Sequence, residues 1–216
     1  MNFFGREKEL PGIIKALEQS RNIVVTGKYG IGKTTLVKEA AKITGERWRF
    51  LFADFSKTPS KVCNDLLTEL RPKRPSRGDT GYEYYRRSRS LIVELASKDK
   101  RRCVIVLDNI AKLTCQRLDL IRYLHRDRPL LFIAIAEHFL PDDDLFHLRA
   151  CLYPSEVIRL RHLSANQTAG FFRYCANKHK FRWTESDIHM LTLATKGYPL
   201  SMRDYVMREL ERKKGM

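Results

Sequence analysis

GKYGIGKT, residues 27–34, fits the pattern G-x-x-x-x-G-K-[ST] at every position. The flanks give the pattern its meaning. NIVVTG (22–27) reads as a short buried strand, and residues 33–44 repeat apolar and small residues at helical spacing. A glycine-rich turn between a strand and a helix lets successive backbone N–H groups point inward around an anion. The helix N-terminus adds the positive end of its dipole. Gly27, Lys28, Tyr29, Gly30, Ile31, Gly32, Lys33, Thr34 and Thr35 are therefore the expected phosphate cradle. Lys33 is expected to reach the β- and γ-phosphates, and the Thr34 hydroxyl to ligate Mg²⁺.

A phosphate loop of this kind needs a second strand that ends in an acid. CVIVLDNI (103–110) supplies it, with an apolar run ending at Asp108. A carboxylate at the C-terminal edge of such a strand holds Mg²⁺, commonly through a water. Asp108 is read as that residue. Asn109 follows it, and an amide can orient a water but cannot accept its proton. Hydrolysis of a bound nucleotide is therefore expected to be slow, unless Glu137 or Asp54, both near predicted strand ends, stands in.

Further strands are expected at 48–55, 129–136 and 155–160, and helices in the later part of 7–20 and over 60–70, 82–98 and 114–126. RPKRPSRGDTG (71–81) reads as a loop. Continuous apolar strands separated by helices indicate an α/β fold, a parallel sheet sandwiched by helices. After residue 163 only helices are expected. Ser164 with Gln167 and Thr184 with Asp187 have capping-box spacing, and Gly197 marks a helix end. The expected organisation is a core over 1–163 and a three-helix lid over 164–216.

Together these residues resemble the AAA+ superfamily of P-loop ATPases. FFGREKEL (3–10) resembles the F-x-G-R-E box of archaeal replication initiators and of STAND-type ATPases. The resemblance implies ATP and Mg²⁺ as cofactors, with Phe4 and Arg6 beside the adenine. It also implies a polar sensor after the fourth strand, where Glu137 and His138 stand. By position Arg149 corresponds to an arginine finger that acts on a neighbouring subunit. In GYPLSMR, Leu200 occupies the usual place of a lid arginine, and Arg203 lies one turn later.

Lys and Arg number 41 against 25 Asp and Glu, a formal net charge of +16. Such a field attracts polyanions. Arg71, Lys73, Arg74 and Arg77, with Arg86, Arg87 and Arg89 beside Tyr84 and Tyr85, are the candidate nucleic-acid contacts. Phe181 with Trp183 forms a second aromatic group near basic residues. Neither a helix-turn-helix nor a zinc finger is apparent, so contact is expected mainly with the nucleic-acid backbone. The expected function is a DNA-assembled ATPase, homo-oligomeric when ATP is bound, that recruits or regulates a partner enzyme. Transposition-regulator and helicase-loading ATPases, which this chain resembles, work in that manner. The alternative is a nucleotide-controlled protein-interaction switch of STAND type that does not bind DNA. A small-molecule kinase is disfavoured by the N-terminal box and the three-helix lid. The five cysteines are scattered without C-x-x-C spacing, which suits free thiols. The charged N-terminus and the lack of a long apolar run lead to an expected cytoplasmic location and no membrane.

Overall fold

The computed structural model describes residues 4–70, 82–126 and 130–214. Five strands form one parallel sheet in the order β2-β3-β4-β1-β5. They are β1 (Asn22–Thr26), β2 (Trp48–Asp54), β3 (Arg102–Ile110), β4 (Leu130–Ala136) and β5 (Ser155–Arg159). The helices of the core are α1 (Glu9–Glu18), α2 (Lys33–Thr44), α3 (Pro59–Leu70), α4 (Tyr82–Ser97), α5 (Cys115–His125) and α6 (Asp142–Cys151).

The sheet is apolar on both faces because helices cover both. Successive residues of a strand point to opposite faces. Cys103, Ile105 and Leu107 of β3 join Phe132 and Ala134 of β4 in a cluster with α3, α4 and α5. Val104, Val106, Ile133 and Ile135 face the other way, against Ile13 and Leu17 of α1 and Leu36 and Val37 of α2. Burying each such Leu, Ile or Phe contributes about 1.5–3 kcal/mol. The edge strand β5 is only partly covered. Pro59 opens α3, where a missing N–H costs nothing.

Two features depart from the expectations. Strand β3 continues past Asp108 to Ile110, because Ile110 is fully buried and pairs with Ala136. The ladder shifts register between Leu107 and Ile110, and Asn109 adopts a left-handed φ of 61°. Helix α6 was not expected. Leu148 is buried and Leu145 and Cys151 are partly buried against the same core, while Asp142, Asp143 and Asp144 complement its N-terminal dipole. The candidate contacts Arg71, Lys73, Arg74 and Arg77 lie outside the described residues.

Three further helices follow, α7 (Ala165–His179), α8 (Glu185–Thr195) and α9 (Pro199–Lys214). Both capping boxes form, Ser164 with Gln167 and Thr184 with Asp187. The helices enclose a separate small cluster of Leu163, Phe171, Phe172, Cys175, Ile188, Met202 and Val206. Phe181 and Trp183 pack partly buried against it, with Trp183 set edge-on to Phe172. Among the described residues no helix is long and apolar enough to cross a membrane.

Candidate nucleotide-binding site

The sheet order places the C-terminal ends of four neighbouring strands in a row. Across it lie Asp54 at the end of β2, Asp108 and Asn109 in β3, Glu137 after β4, and Gly27 after β1. Ligands of open parallel sheets bind outside these carboxyl ends.

Gly32 caps α2, and Lys33 and Thr34 are its first residues. No acid occupies that first turn, so nothing in the turn offsets the dipole. Lys33 is 6% exposed. Its Nζ donates to the carbonyls of Gly27 (2.9 Å) and Lys28 (3.3 Å) and pairs with Glu137 Oε2 at 3.2 Å. The Glu137 N–H in turn donates to the Ile110 carbonyl, which ties this acid to the end of β3.

The Thr34 hydroxyl donates to Asp108, with Oδ2 at 2.9 Å and Oδ1 at 3.1 Å. The Asn109 N–H donates to Asp108 Oδ1 at 2.9 Å and fixes the carboxylate. A hydroxyl and a carboxylate in contact are hard oxygen donors of the type Mg²⁺ takes. Among the described residues no group of three or more His, Cys, Asp or Glu could hold a metal. The Thr34 and Asp108 oxygens fit Mg²⁺ that keeps waters and phosphate oxygens for its other positions. Thr34 and Asp108 would hold it, and it would neutralise charge on the phosphates.

The left-handed turn at Asn109 carries its side chain toward β2. There Nδ2 donates to Asp54 Oδ1 at 3.3 Å. Ser56 donates to the same oxygen through its N–H (3.1 Å) and its hydroxyl (2.7 Å). Burial pushes the Asp54 carboxyl up, but the hydrogen bonds from Ser56 and Asn109 and the charge of Lys57 outweigh it, so the net direction is down. Arg117 holds the following turn by donating to the carbonyls of Ser56 and Lys57. Ser56 and Arg117 carried no motif that would have marked them in the sequence.

The N-terminal box sits beside the loop. Arg6 is buried and donates to the Ile31 carbonyl at 3.0 Å and to Glu9 at 3.0 Å. Phe4 packs on Phe171 and Tyr174 of α7. Gln167 donates to the Gly5 carbonyl and to Glu7. From the other side, the Tyr198 hydroxyl donates to the Tyr29 carbonyl. Gly30 has a left-handed φ of 68°, and a Cβ there would lie 2.8 Å from Leu200 Cβ. That close approach requires glycine. Leu200 therefore meets the loop itself. The exposed Lys28, Tyr29 and Thr35 and the buried Ile31 complete the cradle.

Other candidate residues lie apart. Arg149 is exposed on the last turn of α6. Arg203 is 62% exposed beside Asp204. His138 is exposed with its ring edge-on to Phe139. Arg86 and Arg87 are exposed on α4 and, with Arg89, line an open groove closed on one side by Tyr123. The Arg89 guanidinium lies between the rings of Tyr85 (4.6 Å) and Tyr123 (4.3 Å).

Residues 2–133 match the family described as AAA ATPase domain. Over 130 residues the chain is 31% identical to the ORC1-type DNA replication protein 1 of Sulfurisphaera tokodaii, covering 55% of this chain and 32% of that protein. The chain thus spans about a third of the length of that curated relative. Among solved structures it is similar to Cdc6p from Pyrobaculum aerophilum, with TM-score 0.73, 14% identity, and coverage of 97% of this chain and 62% of that one. It is also similar to the Aeropyrum pernix ORC1 protein in complex with DNA, with TM-score 0.61, 14% identity, and coverage of 98% and 66%. Likenesses at this level of identity show a shared fold.

Proposed function

Because the chain belongs to the AAA ATPase domain family, we propose that it binds ATP with Mg²⁺ at residues 27–34 and hydrolyses it slowly. The observation that carries this reading is the contact of the Thr34 hydroxyl with Asp108 at 2.9 Å, with Lys33 poised over the loop. Phosphates displace the two carbonyls and the Glu137 carboxylate that Lys33 now holds. The amide of Asn109 takes no proton, so the base for hydrolysis must come from another residue.

In this reading residues 1–163 act as the ATPase core and 164–216 as the lid. ATP-bound copies assemble into a homo-oligomer on DNA, where Arg149 reaches a neighbouring copy's phosphates. The assembly works in the cytoplasm and recruits or regulates a partner enzyme. The net charge of +16 and the exposed Arg86 and Arg87 support DNA as the surface of assembly. The Aeropyrum pernix relative, solved with DNA, supports it too.

A salt titration of duplex binding, with and without ATP, tests the proposal. ATP should raise DNA affinity, and the affinity should fall steeply and log-linearly with salt as counterions are released. Absence of DNA binding at low salt would overturn it and leave a nucleotide-controlled protein-interaction switch.

A further inference from the structure

Three carboxylates stand along the edge of the sheet where a nucleotide would lie, Asp54, Asp108 and Glu137. Two are engaged. Asp108 accepts from the Thr34 hydroxyl and the Asn109 N–H, on the metal side. Glu137 is paired with Lys33, on the phosphate-loop side. Asp54 is held differently. Three donors converge on its Oδ1, two from Ser56 and one from Asn109, which leaves Oδ2 as the oxygen with lone pairs to spare.

Position singles out the same residue. Asp54 is in register with Asp108 on the adjacent strand, about 4.8 Å away across the ladder. The sheet order runs from β1, which carries the phosphate loop, through β4 and β3 to β2. Asp54 is thus the acid farthest across the sheet from the loop that grips the phosphates. In-line displacement needs its water on the side of the γ-phosphorus away from the leaving oxygen. Arg117 locks the turn that carries Ser56, so the carboxylate is held in place before the reaction.

We infer that Asp54 is the catalytic base for ATP hydrolysis, with Asn109 as its positioning residue. This rests on the proposed ATPase activity. Asp54 Oδ2 accepts a proton from water as the water oxygen bonds to the γ-phosphorus. The bond from that phosphorus to the β,γ-bridging oxygen breaks, and its electron pair leaves with ADP. The proton passes from Asp54 to solvent. The amide at Asn109 and the acid at Asp54 share one function across two strands, with the acid on β2.

The test is Asp54→Asn, read by turnover, ATP affinity, and the nucleotide recovered with the desalted protein. Losing a general base costs about 10²–10⁴-fold in rate. Turnover should fall by that range, ATP affinity should stay within about twofold, and the retained nucleotide should be ATP. Adding Asn109→Glu to Asp54→Asn returns a carboxylate to the same edge and should restore turnover, a result that a merely structural role for Asp54 does not give. An Asp54→Asn chain that turns over at the unmodified rate overturns the inference alone, as does one whose rate falls only in step with its ATP affinity. An unmodified chain that binds ATP and never turns it over overturns the ATPase reading and this inference together.

Discussion

Replacing Glu137 with Gln should weaken the empty protein and tighten its grip on ATP, by similar amounts. Glu137 is 11% exposed and its carboxylate lies 3.2 Å from the Lys33 ammonium, itself 6% exposed. At that separation the gross attraction is about 5 kcal/mol for an effective dielectric near 20. Most of it offsets the cost of burying both charges. Lys33 also keeps the Gly27 and Lys28 carbonyls, and the Gln carbonyl can still accept from it. A net loss of about 1–2 kcal/mol from the empty state remains, in the range of a single charged hydrogen bond. When ATP binds, Lys33 must leave Glu137, and a free carboxylate beside phosphate oxygens is repelled. Glu137→Gln removes the competitor and the repulsion. The same 1–2 kcal/mol then appears as a dissociation constant lower by about 5–30-fold. Urea unfolding without nucleotide measures the first effect and calorimetric ATP titration the second. A variant that loses stability but binds ATP no better, or more weakly, would refute the reasoning. It would mean that Glu137 stabilises the bound state as well.

Two other predictions concern the fold. Gly197 has φ 69°, and a Cβ there would lie 2.0 Å from the Leu163 carbonyl oxygen, so Gly197→Ala should cost at least about 2 kcal/mol in urea unfolding; an unchanged midpoint would show that this junction yields. Asp99 is held below the usual carboxylate range by the hydrogen bond from Arg49, then by the Arg101 N–H, against the opposing effect of burial. A depressed carboxyl contributes stability above its unfolded pKa of about 4, and that stability is lost as pH falls through the lower folded value. Asp99→Asn should therefore be less stable than the unmodified chain at neutral pH, and the gap should close on acidification. A gap that stays constant into strong acid would contradict this.

The parts legible in the sequence were those whose evidence is local. GKYGIGKT carries its chemistry in consecutive residues, and the continuous apolar runs of β3 and β4 reflect burial on two faces. Ser164 with Gln167, and Thr184 with Asp187, state their caps three residues apart. What stayed hidden depended on distant pairings. No pattern announces that Asn109 turns left-handed and reaches back to Asp54, because the partner lies on another strand. Lys33 and Glu137 meet only because β4 lies next to β1. Arg6 donates to the Ile31 carbonyl 25 residues away, a pairing that no local pattern marks. Helix α6 was hard to read because its apolar spacing, Leu145, Leu148 and Leu152, spans only two turns behind the run PDDD.

Residues 5–7 form a strap with fastenings at both ends. The Gly5 carbonyl and the Glu7 carboxylate are tied to Gln167 at the start of α7, and Arg6 between them is tied to Ile31 in the phosphate loop. Tyr198 and Leu200 grip the same loop from the opposite side. The loop thus hangs between two points that belong to, or are fastened to, the C-terminal helices. Those helices cannot swing without either releasing the loop or dragging it. Coupling of this kind is reciprocal. Whatever leans on α7–α9 and changes the hold on ATP by some factor is itself held more tightly or more loosely, by the same factor, when ATP arrives.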